Sequence, residues 1–289
     1  MALIPVERPE DFSLAEQFVI PHEETCTSLA SLVRRKSDKL VFITENTVVE
    51  PVETTTNSIL GILNLDSTIY HCIPNPALID EIELSENLPY LLKKQIRCIS
   101  GESAATDFLI SVTNKLTNDS SLITPLKQIY YYKMMNLASP PSDIQLSGDE
   151  EIIRCTEHDM EILHPLQKDY MKDEVAVPGR QLTDAEVDMT LRQILKNQLC
   201  FGLTVDGDIV AKANTNAIGI NKVQIGGVYT HPLYRRNGYA AALVTALSNR
   251  ALRSGKQPVL FVKEKNMPAF SLYQKIGFAE CGRYAIAYY

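Results

Sequence analysis

The sequence predicts a mixed α/β protein, a central sheet flanked by helices, and three observations carry that prediction. The first is a run of strands in the second half. Leu199 to Val205 and Asp208 to Asn214 are hinged at Asp206 and Gly207, a strong hairpin signal, and Val223 to Thr230 follows after a turn near Gly219 to Asn221. The second is a set of segments with apolar residues at helical spacing, placed between and beside those strands. The third is a seam at Leu137 to Asp143. Pro140 and Pro141 remove two backbone donors there, and serine and aspartate favour turns. The chain therefore divides into an amino-terminal domain over 1–138 and a second domain over 150–289.

Composition excludes several classes. Of 289 residues, 45% are hydrophobic and 22% charged, the balance of a globular protein with a real core. The formal net charge of -7 argues against nucleic acid as a partner, which needs a concentrated positive field. The segment Met1 to Asp11 carries Glu7, Glu10 and Asp11 and does not read as a signal peptide. No apolar run reaches the roughly 20 residues that span a bilayer, so no membrane partner is expected. Cys26, Cys72, Cys98, Cys155, Cys200 and Cys281 are scattered, with no C-x-x-C pair and no histidine at metal spacing. They read as reduced, mostly buried thiols of a cytoplasmic protein that holds no metal.

The first half offers a helix over Glu23 to Arg35 and strands over Lys39 to Thr44, Ser58 to Leu65 and Thr68 to Cys72. His71, Cys72, Ile73 and Pro74 loosely echo Thr230, His231 and Pro232, which hints at an internal duplication. In the second half Ile152 to Cys155 reads as a short strand. Thr156 is placed to cap a helix through Met160, Leu163, Leu166 and Tyr170. A further helix is expected over Asp184 to Asn197, with Val187, Leu191, Ile194 and Leu195 on one face.

The most informative stretch begins where the last of these strands ends, at Thr230. Pro232 stops pairing, and Arg235, Arg236, Asn237, Gly238, Tyr239 and Ala240 form a tight basic turn. A helix follows through Ala240, Leu243, Val244, Leu247 and Ala251, with Gly255 as its stop and Pro258 to enforce it. The first turn of a helix has unpaired N–H groups and partial positive charge, a setting suited to a pyrophosphate. Gly238 lets the backbone approach phosphates closely, Ala240 is nearly as small, and the two arginines add charge. Taken alone, the same six residues also fit an ordinary strand–turn–helix junction with two solvated arginines.

Downstream, Val259 to Val262 is an apolar run of strand length. Asn266 is then placed to cap a helix that tolerates Pro268 in its first turn and stops at Gly277. With these residues in order, the second half resembles the GCN5-related N-acetyltransferase (GNAT) superfamily. Arg235, Gly238 and Ala240 match its Q/R-x-x-G-x-G/A phosphate motif. Asn266, Ala269, Tyr273, Gly277 and Phe278 match its later motif N-x-x-A-x-x-x-Y-x-x-x-G-F. The resemblance covers Ile152 to Tyr289, and Leu166 to Val175 also looks like a helix of two-domain members. It implies the GNAT fold, acetyl-CoA as donor and an amine as acceptor. It also implies roles for particular residues. Val228, Tyr229 and Thr230 would offer backbone bonds to the pantetheine arm. The amides of Arg236, Asn237, Gly238, Tyr239, Ala240 and Ala241, beside Arg235, would hold the pyrophosphate. Asn266 would bond the pantetheine region. Tyr273 lies two helical turns beyond it, about 10 Å along the axis, and would protonate the leaving thiolate.

No carboxylate stands where the resemblance would place a base. Many relatives carry a glutamate on the central strand or the next one, where this chain has Gln224, Gly226 and Phe261. His231, Glu174, His164 and Glu264 remain as candidates. In the first half, Asn75 to Glu83 has no glycine and carries Asp80, Glu81 and Glu83, which would repel a pyrophosphate. That half is expected to be a GNAT-like copy without a donor site, packing on the catalytic half and shaping the acceptor pocket. Three readings follow: an N-acetyltransferase acting by direct transfer, a catalytically idle acyl-CoA sensor, and a partner-binding protein that keeps only the fold.

Overall fold

The hairpin expected at Asp206 and Gly207 forms because both residues take positive φ, 52° and 90°, the backbone that a two-residue turn between twisted strands requires. The computed structural model describes residues 1–45, 59–116, 123–142, 144–176 and 181–289. Ser58 and Asp143, named in the expectations above, lie outside the described residues.

The contacts divide the chain into two units, Met1–Met134 with Gly219–Asn221 and Cys281–Tyr289, and Met135–Ile218 with Lys222–Glu280. The first run of elements is β1 (Ala2–Pro5), α1 (Pro9–Val19), α2 (Glu23–Arg34), β2 (Leu40–Thr44), β3 (Ile59–Asn64), β4 (Thr68–Cys72), α3 (Glu81–Asn87), β5 (Cys98–Glu102), α4 (Ser103–Leu116) and β6 (Gln128–Leu137). The second run is β7 (Glu150–Arg154), α5 (Met160–Tyr170), α6 (Asp184–Asn197), β8 (Cys200–Val205), β9 (Asp208–Ile218), β10 (Lys222–Thr230), α7 (Tyr239–Arg253), β11 (Gln257–Lys263), α8 (Met267–Ile276) and β12 (Phe278–Tyr288). Both runs read β-α-α-β-β-β-α-β-α-β.

In the first unit the strand order is β1-β2-β3-β4-β5-β12, with β4 and β5 parallel. Tyr284–Tyr288 of β12 lie antiparallel to Cys98–Glu102 of β5. One apolar cluster includes Leu84, Leu88, Leu109 and Val112 of α3, α4 and their flanks. Another includes Phe12, Val19, Leu29 and Val33 of α1 and α2. Burying one such side chain contributes roughly 1.5–3 kcal/mol, so the two clusters hold their helices on the sheet.

In the second unit the order is β6-β11-β10-β9-β8-β7, with β10 and β11 parallel. Leu243, Val244 and Leu247 of α7 share a cluster with Tyr273 and Ile276 of α8. Leu163 and Leu166 of α5 pack with Leu191 of α6, Cys155, Cys200 and Tyr229. α6 starts at a reciprocal cap. Thr183 Oγ1 accepts from Glu186 N at 3.3 Å, and the Glu186 carboxylate accepts from Thr183 N at 3.0 Å. Pro258, expected to enforce a helix stop, instead lies in β11 opposite Val223. The preceding helix has already ended at Arg253, with Gly255 at φ 74°. All six cysteines are free thiols.

Candidate active site

The site is built where β10 and β11 part. Their register runs from Lys222 opposite Gln257 to Ile225 opposite Leu260 and goes no further, although β10 continues to Thr230 and β11 to Lys263. On its other side β10 bulges. Gly226 faces Asn214 and Tyr229 faces Lys212, so Gly227 and Val228 fall between register pairs. Gly227 has φ 59°, and a Cβ there would lie 1.9 Å from Asn214 Oδ1. A Cβ on Gly226 would lie 2.1 Å from Asn216 Nδ2. Gly227 is thus favoured by backbone shape and by close packing, and Gly226 by packing against Asn216.

Beyond β10 the chain makes the basic turn. His231 N donates to Val210 O at 2.9 Å, and one 3₁₀ turn, Pro232–Tyr234, leads to Arg235. Arg236 takes φ 70°, strained for a residue with a Cβ. Gly238 takes φ 85° and heads α7, with open space where a Cβ would stand. No side chain caps the first amides of α7, and no acidic residue lies in its first turn. An N-terminus left in this state is a strong anion receptor. Tyr239 presents only its backbone to that turn, because its hydroxyl donates to Glu150 Oε1 at 2.7 Å. Arg235 Nε donates to Thr230 O at 3.1 Å, its guanidinium lies over the Tyr229 ring at 5.4 Å, and Nη2 is 3.9 Å from Asp173. Asn237 Nδ2 donates to Tyr234 O at 3.3 Å. Thr230 Oγ1 and His231 Nδ1 are buried without a hydrogen-bond partner.

α8 forms the opposite wall. Asn266 caps it, accepting from Ala269 N at 3.2 Å. Tyr273 is 8% exposed and edge-on to Phe278, 6.3 Å between centroids. Burial, with Tyr170 and Glu174 close by, holds the Tyr273 phenol well above its ordinary range, so it carries its proton. Burial also pushes the Tyr170 phenol up to about 12; Glu174 adds to the rise and the Gly227 amide opposes it.

Tyr170 ends α5, and a π-helical turn, Met171–Val175, continues from it. This turn brings two carboxylates to the cleft. Tyr229 Oη donates to Asp173 Oδ2 at 3.3 Å. Glu174 pairs with Lys263 at 3.2 Å and accepts from Asn266 Nδ2 at 3.5 Å. Of the four proposed bases, Glu174 therefore stands beside Asn266. His164 faces Asp184 and Asp188 at 3.9 and 3.5 Å, the His231 ring lies against Tyr234 at 5.8 Å, and Glu264 is exposed after β11.

Two groups at the cleft were not anticipated from sequence, Tyr170 and Lys212. Lys212 is 0% exposed, and its ammonium donates to Gly227 O at 3.0 Å and Asn214 Oδ1 at 3.2 Å. Among the described residues no group of three or more His, Cys, Asp or Glu is arranged to hold a metal ion, and no helix is long and apolar enough to cross a membrane.

At the same positions in the element order, the first unit carries side chains of its own. The Asp80 carboxylate caps α3, accepting from Ile82 N and Glu83 N at 2.9 Å each. At the end of the parallel β4–β5 pair the His71 ring occupies the space in front of Gly101, where a Cβ would lie 2.3 Å from it.

With that geometry in place, likeness to known proteins becomes informative. Residues 206–286 match the family model described as FR47-like protein. No curated protein matches the chain. A solved Drosophila protein aligns at 14% identity and TM-score 0.67, covering 99% of this chain and 98% of that one. A GNAT-family acetyltransferase from Colwellia psychrerythraea aligns at 10% identity and TM-score 0.56, covering 100% and 99%. A GCN5-related N-acetyltransferase from Sphaerobacter thermophilus aligns at 13% and 0.55, covering 99% and 94%. At these identities the likeness is one of fold. The chain therefore has the fold of the GCN5-related N-acetyltransferases, with the FR47-like match confined to residues 206–286.

Proposed function

We propose that the second unit is an acyl-CoA-dependent N-acyltransferase that moves an acetyl group from acetyl-CoA to a primary amine of a small molecule or peptide. The observation that carries this reading is the opening between β10 and β11 beside an uncapped helix start at Gly238. An extended, polyanionic thioester fits such a place. The free edge of β10 at Val228, Tyr229 and Thr230 serves its amide-bearing arm. The amides from Arg236 to Ala241, with Arg235, serve the pyrophosphate. Asn266 lies along the arm, and Tyr273 lies at its thioester end.

The amine nitrogen attacks the thioester carbonyl, and the carbon–sulfur bond breaks as the tetrahedral intermediate collapses. Tyr273 gives its proton to the departing thiolate. The proton shed by the amine goes to Glu174, and return of a proton to Tyr273 closes the cycle, leaving amide and free thiol. Glu174 fits this role because Lys263 and Asn266 hold its carboxylate at the cleft, where it is still one-third exposed.

We further propose that the first unit is a GNAT-like copy without a donor site. The shared element order supports common design, and Asp80 and His71 occupy the places a donor would need.

Calorimetric titration with acetyl-CoA tests the placement. The wild type should bind, and Gly238→Glu should not, because it adds a carboxylate at the helix start and a Cβ at φ 85°. Unchanged affinity in a folded variant would refute it. A broad amine screen for free-thiol release then separates a transferase from a protein that only binds the donor.

A further inference from the structure

Lys212 is the most unusual group in the second unit. A buried ammonium costs several kcal/mol of lost hydration and is normally repaid by a carboxylate. Among the described residues Lys212 has none. It meets two neutral oxygens, Gly227 O and Asn214 Oδ1, and the face of the Tyr170 ring, 5.1 Å from Nζ to centroid. Those three partners match the three N–H donors of a charged lysine. Burial lowers its pKa, while the neighbouring Cys200 and Cys155 act in the opposite sense. A methionine would fill the same volume without this penalty, so the charge itself calls for a use.

Its position supplies one. The Gly227 carbonyl belongs to the same peptide group as the Val228 N–H. That peptide lies in the β10 bulge, between register pairs with β9 and past the last pair with β11. A positive charge on a peptide oxygen draws electrons through the amide and makes its N–H a stronger donor, as in any polarised hydrogen-bond chain. Tyr170, whose ring lies over the Lys212 ammonium, leads into the π-helical turn whose Glu174 meets Asn266 at the head of the helix that carries Tyr273, so this peptide lies on the same side of the site as α8.

We propose that Lys212 is a positioning residue whose buried ammonium, acting through the Gly227–Val228 peptide group, strengthens the Val228 N–H as a donor to the acyl-thioester oxygen. The proposal rests on the acyltransferase reading above. Lys212 itself exchanges no proton and forms no bond in the reaction. Its charge is fixed in place before negative charge develops on the oxygen, the arrangement in which electrostatic stabilisation is most effective.

The test is isotope-edited infrared spectroscopy of full-length protein with acetyl-CoA carrying ¹³C at the thioester carbonyl. In the wild type the bound carbonyl band should move to lower wavenumber than in solution. Lys212→Met should bind the donor within about twofold of wild type, lose at least half of that shift, and slow acetyl-CoA hydrolysis by about tenfold or more. Lys212→Gln, which keeps a donor but no charge, should also lose most of the shift. A full shift in either folded variant, or no shift in the wild type, would overturn the proposal. If both variants fail to fold, Lys212 serves the fold alone and the proposal falls. If the wild type does not bind acetyl-CoA, the acyltransferase reading fails first and takes the proposal with it.

Discussion

Tyr273 illustrates what a residue's surroundings add to its motif. A phenol in water loses its proton near pH 10; here burial beside Tyr170 and Glu174 moves that further up. It is therefore a poor base and a secure proton carrier at neutral pH. Tyr273→Phe removes one proton donor and little volume. Donor affinity should change by less than about 1 kcal/mol, while turnover should fall about 100-fold or more. Equal turnover, with chemistry shown to limit the rate, would return Tyr273 to a packing role. Asn266 and Tyr273 stand out in the sequence through their match to the GNAT motif, and their spacing of seven residues sets them on one helix face. Lys212 does not stand out. It alternates with Ala211 and Ala213 and lies in line with Asn214 and Asn216, a pattern that reads as a solvent-facing strand edge. Only the covering helix α5 makes that face an interior, and no local pattern in β9 announces the cover. Glu174 was one of four candidate bases in the sequence, and what sets it apart, its direction, depends on a π-helical turn that sequence spacing does not reveal.

Among elements, the two parallel strand pairs show how one plan reaches opposite ends. Between β10 and β11 the ladder ends at Ile225 opposite Leu260, although both strands run on. At the end of β4, the same position in the element order, the His71 ring is 1% exposed, with Nε2 2.9 Å from Thr106 Oγ1. Burial brings the His71 pKa down to about 3 from its ordinary 6.5, so the folded protein keeps this ring neutral. The unfolded chain takes up the proton first as pH falls. The contribution of His71 to stability is therefore complete above about pH 6.5 and declines as pH drops from there to about 3. The limiting slope is about 1.4 kcal/mol per pH unit. Denaturant melts of wild type and His71→Gln between pH 7 and 4 should show a shallower loss in the variant; parallel curves would contradict this. The strands and helices of the second half were largely readable because turn residues punctuate them. β5, α4 and β12 were not singled out. Residues 98–102 are short and include Ser100 and Gly101, and neither a turn nor a sharp apolar period marks them.

For the whole molecule, the duplicated order of ten elements was visible in sequence only as a faint echo between His71–Pro74 and Thr230–Pro232. Element order survives changes of side chain that erase sequence likeness, because it depends only on where apolar periods begin and end. The chemistry diverges where single residues decide it. Asp80 satisfies the amides at the start of α3, and Gly238 leaves those of α7 open. One donor per chain is the expected stoichiometry. A crystal soaked in acetyl-CoA should show density at the Gly238 turn alone, and a second donor beside Asp80 would refute this assignment.

The placement of Cys281–Tyr289 in the first unit has a consequence for how the protein is made. Tyr284 Oη shares a hydrogen bond with Ser100 Oγ at 2.8 Å, and Tyr289 Oη shares one with Thr113 Oγ1 at 2.6 Å. A ribosome delivers these nine residues only after every residue of the second unit has emerged. The first unit therefore waits, with the edge of β5 unpaired, through the synthesis of more than a hundred residues, several seconds at least at translation rates of about 5–20 residues per second. An unpaired strand edge invites pairing with another chain, so nascent first units should depend on chaperone cover for that interval. A chain stopped at Glu280 should precipitate or bind a hydrophobic dye while the full chain stays soluble, and equal solubility of the two would show that the first unit closes without its late strand.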